Sequence, residues 1–313
     1  MWARRPSAIA VSVGACLLAT LGLVAAWLRA RDETPVSGFQ TSRNGRIAFV
    51  RSSGRHTDIY TIEPDGSGLA RITRGPGASN SPSWSPDGRW IAFAARKSGS
   101  YNIYVMNRNG SSVRRLTSGA WIEGTPDWSP DGERIAFTSN RGRGAGFDIY
   151  LMGSDGSSVV RLTKGQDPSW SPDGSKIAYT RLRDGAYDIF VVDVEGGAPV
   201  NLTRDPADDR DPDWSPTKDR IAFASNRGGD FAVYSMDADG NPERLTSGGQ
   251  DHLSPAWAPD GTKIAWGRAA AGSYQIYLME AGATGAVRLT SGPLYDVTPA
   301  WQPLPRATGE GPG

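Results

Sequence analysis

Six tryptophans recur through the chain, Trp84, Trp128, Trp170, Trp214, Trp257 and Trp301, and the residues just ahead of them are the best equipped for chemistry. Five positions before each stand Ser79, Glu123, Gly165, Asp209, His252 and Asp296, and three before stand Ser81, Thr125, Asp167, Asp211, Ser254 and Thr298. Every member of the second set can cap the turn ahead of the proline that follows it, which is a structural role first. The first set shares no single turn-forming chemistry. With Asp208, Asp211, Asp213 and Asp251 nearby it makes an acidic rim suited to a cation, a basic peptide or another polar ligand, the alternative being a solvated loop face. The candidate ligand-binding residues are Glu123, Asp167, Asp209, Asp211, His252 and Asp296. Trp121 has no counterpart in the other repeats and suits stacking on a sugar, a proline or an arginine, with insertion into the core as the alternative. The stretch from Leu162 to Trp170 is 8 residues where five equivalent stretches are 12, so the rim is expected to dip there while Arg141 and Arg143 rise beside it. Trp90 stands where other repeats carry Arg or Lys and is expected to be an exposed contact away from the rim.

Nucleophilic hydrolysis has no support in these residues. No Gly-x-Ser-x-Gly elbow occurs, and the two histidines, His56 and His252, fall in different repeats. His-Glu-x-x-His, a glycine-rich phosphate loop and an EF-hand pattern are also missing from the sequence. The chemistry that remains open is a metal-dependent lactonase- or lyase-like reaction on the acidic set, with calcium suited to oxygen ligands at Asp167, Asp209 and Asp211. No other cofactor is implied.

The elements that must position these residues follow from the repeat. The tryptophans are spaced by 44, 42, 44, 43 and 44 residues, and an apolar triplet starts seven residues after each one that has a successor: Ile91, Ile135, Ile177, Ile221 and Ile264, with Ile47 opening the series. An aliphatic-aromatic pair follows (Ile59, Ile103, Ile149, Ile189, Val233, Ile276), and a threonine closes each unit (Thr73, Thr117, Thr163, Thr203, Thr246, Thr290). Each landmark reads as a short strand, rich in β-branched and aromatic residues and bounded by turn formers. Ser-Pro-Asp-Gly makes the first hairpin and an Asp-Gly or Asn-Gly pair a second. The Arg that ends the second strand (Arg51, Arg96, Arg141, Arg181, Arg227) and the Asp or Asn that opens the third (Asp58, Asn102, Asp148, Asp188) are each expected to bond within a blade. The fold class expected is all-β: a six-bladed β-propeller of four-stranded blades over residues 44–301, preceded by one transmembrane helix. The first unit lacks a tryptophan strand and the last tryptophan strand lacks its unit, so pairing of the N- and C-terminal strands should close the ring.

The succession WSPDG, IAF, Ser-Asn-Arg-Gly (139–142 and 225–228), Asp-Ile-Tyr and Arg-Leu-Thr resembles the WD-like repeat of TolB-type propellers over residues 44–301. The resemblance implies the fold far more strongly than any activity, because one fold hosts many functions. TolB proteins of the Tol-Pal system carry an α/β domain ahead of the propeller, where this chain has a linker. Similar propellers precede the hydrolase domain of prolyl-oligopeptidase-like peptidases, and none is expected after residue 301.

Charge and hydropathy bound the setting. Lys plus Arg number 34 against 33 Asp plus Glu, and residues 1–33 account for +2 of the balance, leaving −1 beyond them. No basic field exists to draw nucleic acid. The only cysteine, Cys16, lies in an uncharged run from Ser7 to Leu28 that is long enough to span a bilayer. Arg4 and Arg5 ahead of the run place the remainder outside the cytoplasm. Residues 1–31 are thus expected to be an uncleaved anchor, or else a signal peptide, followed by a linker over 32–43 and a disordered tail over 302–313. The expected protein is a monomeric, membrane-tethered, non-catalytic module on the periplasmic or extracellular side that binds a protein or peptide, or alternatively a small molecule or glycan, at its acidic channel face. Secretion after cleavage is the alternative location.

Overall fold

The computed structural model describes residues 44–304 apart from 76, 143, 145, 238, 239, 283 and 284. The expected anchor and linker, and the tail beyond residue 304, lie outside the described residues. Among the described residues no helix is long and apolar enough to cross a membrane.

The WSPDG phrase folds as its chemistry dictates. Ser85 Oγ donates to Asp87 Oδ1 at 2.5 Å and accepts from Trp90 N at 2.9 Å, while Gly88 takes a φ of 66° to complete the turn. The second hairpin uses the same device: Ser67 N, Ser111 N and Ser157 N each bond an Asp or Asn two residues earlier, at 2.9, 3.0 and 2.8 Å. Short strands joined by such turns stack antiparallel in sequence order, as in the sheet of Ser79–Trp84, Trp90–Ser98, Ser100–Asn107 and Arg114–Arg115.

The result is an all-β propeller with four-stranded blades. Four sheets have four strands each, and a fifth has eight, in which the strands from His252–Trp257 to Ala286–Arg288 meet a set containing both ends of the described chain. The join between the two halves is one parallel pair, Tyr274 with Tyr295. In the second half, Tyr295–Pro303 pairs antiparallel with Asn44–Ser52, placing Trp301 opposite Ile47. The closure expected from the broken first and last repeats is therefore present. The strand runs past 301: Gln302 accepts from Arg46 N and donates to Gly88 O, so 302 and 303 belong to the sheet rather than to a tail.

The core sits between sheets. Five of the six apolar clusters take residues from two neighbouring sheets; Ala48 and Ile59 of one sheet, for example, pack with Trp84, Ile91, Phe93 and Tyr104 of the next. Five of the six recurring tryptophans are buried and the sixth, Trp128, packs against its cluster, as blade-to-blade wedges should.

The expected bonding of the second-strand arginines and third-strand acids within a blade is seen, with partners drawn from several strands. Asp58 is held by Arg71 at 2.7 Å and Asp148 by Arg161 at 2.7 Å, both from the fourth strand, whereas Asp188 is held by Arg183 of the second strand at 2.7 Å. Arg51, Arg141 and Arg227 pair with Asp296, Glu123 and Asp209, residues expected at the rim, whereas Arg96 donates to Gly99 O and Arg181 lies over Phe190.

Candidate functional site

Residues of six strands line one channel-like cavity of about 230 Å³. Three consecutive residues from each strand line it: Ser81-Pro82-Ser83, Thr125-Pro126-Asp127, Asp167-Pro168-Ser169, Asp211-Pro212-Asp213, Ser254-Pro255-Ala256 and Thr298-Pro299-Ala300. A regular strand shows only alternate residues to one side. Here the ladder of each innermost strand slips by a bulge at this point, and the residue before each proline takes a φ of 42–53°. That left-handed conformation strains a non-glycine residue by roughly 1–3 kcal/mol, and six such positions face one channel. Proline suits the next place because the bulge needs no donor there.

Four carboxylates converge on the channel: Asp127, Asp167, Asp211 and Asp213. Asp127 Oδ2 accepts from the backbone N of Trp170 at 2.9 Å and its Oδ1 from Ser83 Oγ at 3.1 Å. Asp213 Oδ2 accepts from Trp257 N at 2.6 Å, and Asp211 Oδ2 from the N and Oγ of Ser254 at 3.2 and 3.0 Å. Each of these bonds links one blade to the next. Burial pushes Asp127 up to about 6 and Asp213 up to about 8, the charge of Asp127 adding to the rise at Asp213. Asp211 is raised by burial as well, opposed by its bonds to Ser254 and by the charge of Arg210. Each of the three keeps part of its surface open to the channel. In the same lining Ser81 is 7% exposed and its hydroxyl has no hydrogen-bond partner, and Thr298 Oγ1 is likewise unpartnered. A channel walled by carboxylates and spare hydroxyls offers acceptors to a cationic donor, an ammonium or a guanidinium.

The expected acidic rim is not where the sequence spacing put it. Glu123, Asp209 and Asp296 are fully buried, each turned into its own blade under an arginine. Arg51 grips Asp296 through two bonds of 2.7 Å, Arg227 holds Asp209 at 3.0 and 3.1 Å, and Arg141 pairs with Glu123, which also accepts from Thr117 and Ser139. Each arginine lies over two rings, Arg141 over Phe137 and Tyr150 at 5.3 and 5.1 Å. Arg141 is therefore folded down rather than raised, and Arg143 lies outside the described residues. His252 is 2% exposed, its Nδ1 2.6 Å from Thr246 Oγ1 and its Nε2 without a partner. Burial, with Arg268 and Arg244 nearby, lowers its pKa to about 4, so it is neutral at physiological pH. Asp208 and Asp251 hold backbone N–H groups of Tyr187 and Phe231.

The calcium set is separated: Asp167 and Asp211 face the channel while Asp209 is spent on Arg227. Among the described residues no group of three or more His, Cys, Asp or Glu side chains could hold a metal ion. Trp121 is 44% exposed, its ring lying over Gly119 rather than inserted in the core, and Trp90 is 39% exposed. Of the expected residues the structure thus brings Asp167 and Asp211 together. It adds Asp127, which sequence reasoning missed, and Asp213, which it left as a neighbour. The signal was present one position before the tryptophan, where the repeats read Ser, Asp, Ser, Asp, Ala, Ala.

Comparison with known proteins agrees with this architecture. The chain matches the TolB beta propeller domain over residues 29–167 and 164–303. It is 43% identical over 58 residues to the Tol-Pal system protein TolB of Syntrophus aciditrophicus, a stretch covering 17% of this chain and 13% of that protein. The protein of the same description from Nitratidesulfovibrio vulgaris is 45% identical over 49 residues, 15% of this chain and 11% of the relative. The matches thus span a small part of these relatives' length. Among solved structures, TolB from Acinetobacter baumannii superposes with a TM-score of 0.75 at 24% identity, covering 83% of this chain and 67% of that one. An oligogalacturonate lyase in complex with manganese superposes with a TM-score of 0.53 at 14% identity, covering 80% and 74%. At these identities the superpositions speak for the fold alone. With a family match running nearly the length of the described residues, and blades built as its repeat predicts, the chain belongs to the TolB beta propeller domain family.

Proposed function

We propose that the protein is a non-catalytic binding module whose central channel receives a basic side chain or amino group of a protein or peptide partner. The observation that carries this reading is the convergence of Asp127, Asp167, Asp211 and Asp213 on one strained, hydroxyl-lined channel. The eight-stranded sheet is read as two blades hinged at the Tyr274–Tyr295 pair, giving six blades in register with the six sequence repeats. The uncharged run of Ser7 to Leu28 behind Arg4 and Arg5 supports tethering of the propeller on the extracytoplasmic side of a membrane.

The test is binding of fluorescent peptides that differ only in Lys, Arg or norleucine at one position, measured by anisotropy with the wild type and with Asp127→Asn/Asp213→Asn. Cationic peptides should bind the wild type and lose about tenfold or more in the variant, as loss of charge-assisted bonds requires. Equal binding of the norleucine peptide, or no loss in the variant, would sink the reading.

A further inference from the structure

Five repeats fill the space beneath the cation that ends the second strand, and they do so by different means. Asp296, Glu123 and Asp209 fill it under Arg51, Arg141 and Arg227. Under Arg181 the position belongs to Gly165, and the Tyr179 ring takes the volume: a Cβ on Gly165 would lie 2.4 Å from that ring. In the repeat of Arg268 the imidazole of His252 fills it, against Thr246.

The repeat of Trp84 departs from all of these. Ser79 stands opposite Ala95, in the register positions where Glu123 faces Ser139 and Asp209 faces Ser225, so both the acid and its serine partner are missing. The cation is still present. Lys97 Nζ sits 4.8 Å from the centre of the Tyr104 ring, matching Arg141 over Tyr150 and Arg227 over Tyr234, each at 5.1 Å. Arg96, which the sequence spacing aligned with those arginines, turns away and donates Nε to Gly99 O at 2.8 Å.

What remains is a cavity of about 410 Å³ between this blade and the one before it, walled by Arg71, Thr73, Arg74, Ser79, Phe93 and Lys97. Asp58 in the same wall is spent on Arg71 at 2.7 Å and Thr73 at 3.1 Å. Lys97 and Arg74 have no ion-pair partner among the described residues, and Ser79, 7% exposed, has a hydroxyl with no hydrogen bond among them. The wall therefore carries two exposed cations without an ion pair and the hydroxyl of Ser79 around a space that a carboxylate occupies elsewhere in the same molecule.

We propose that this cavity is a carboxylate-binding site, in which a ligand supplies from outside the group that Glu123, Asp209 and Asp296 supply from within. The carboxylate would accept from Lys97 Nζ and Ser79 Oγ, against the ring of Phe93. This site is separate from the channel and does not depend on what the channel binds.

The test uses thermal unfolding of the full chain with sodium acetate, with the capped peptide acetyl-Gly-Glu-Gly-amide and with its Gln counterpart, each against sodium chloride at equal ionic strength. The carboxylates should raise the midpoint saturably, the Gln peptide should not, and Lys97→Met should weaken the effect about tenfold. Ser79→Glu, carrying the carboxylate in the chain itself, should unfold about 2–4 °C higher than the wild type and lose the response. A response to acetate identifies a free carboxylate as sufficient, and a response to the Glu peptide alone identifies an acidic side chain; both support the site. No response to either, or one undiminished in Lys97→Met, overturns it, and Lys97→Met decides the matter should Ser79→Glu fail to fold.

Discussion

Two kinds of buried aspartate divide the work in this molecule. Asp296 and Asp209 meet an arginine, whereas Asp213 meets one backbone N–H and the field of Asp127. The consequence for pH runs opposite to the usual carboxylate. With a folded pKa of about 8 against 3.8 for the free group, Asp213 holds its proton more tightly folded than unfolded. Its contribution is complete below the unfolded value and is lost as the pH rises through that window, so stability falls between those limits. Asp213→Asn, which keeps the neutral shape, should raise the unfolding midpoint at pH 8.5 and leave it nearly unchanged at pH 4. Denaturation of both proteins across that range checks this, and parallel curves would remove Asp213 as a titrating group. A basic ligand in the channel favours the ionised form, so its affinity should grow as the pH rises toward about 8, where folded Asp213 loses its proton.

The innermost strand is the element on which the channel depends. Its bulge makes three consecutive residues face inward and turns the residue two places earlier into the blade. Ser-Pro, Thr-Pro and Asp-Pro pairs were legible as turn-like chemistry, yet neither their positive φ nor the change of face can be read from a period of two. This is why Glu123, Asp209 and Asp296 looked like rim residues. Thr298 isolates the cost of the device, because it is β-branched, has a φ of 50° and makes no hydrogen bond through Oγ1. Thr298→Gly should therefore stabilise the protein by about 1 kcal/mol in denaturant titration, relief of strain exceeding the added chain entropy of glycine. A loss of stability would mean that the bulge is not strained there.

At the scale of the whole molecule, the ring is held shut by Tyr295–Pro303 lying against Asn44–Ser52, with Asp296 reaching Arg51 and Trp301 donating Nε1 to Ala256 O at 3.1 Å. One strand thus carries a ladder, an ion pair and a wedge between two blades. A chain ending at Pro293 should lose its single steep unfolding transition, followed by tryptophan fluorescence in urea, since the exposed edges and the unpaired Arg51 leave the terminal blades unsupported. An unchanged midpoint and slope would show that closure is dispensable.

The sequence by itself determined the blade: recurring landmarks, turn formers at fixed offsets and alternating apolar residues are local signals, and each repeat states them again. It also determined the closure, because an unfinished first repeat and an unfinished last one are complementary. What only the tertiary structure decided is which polar side chains meet. Lys97 rather than Arg96 covers Tyr104, Asp127 and Asp213 face the channel, and Glu123 does not. The physical reason is that a bulge or a one-residue change in loop path costs little in local preference yet reverses the face a side chain presents. Charge pairing then follows from distances across blades that no spacing along the chain encodes.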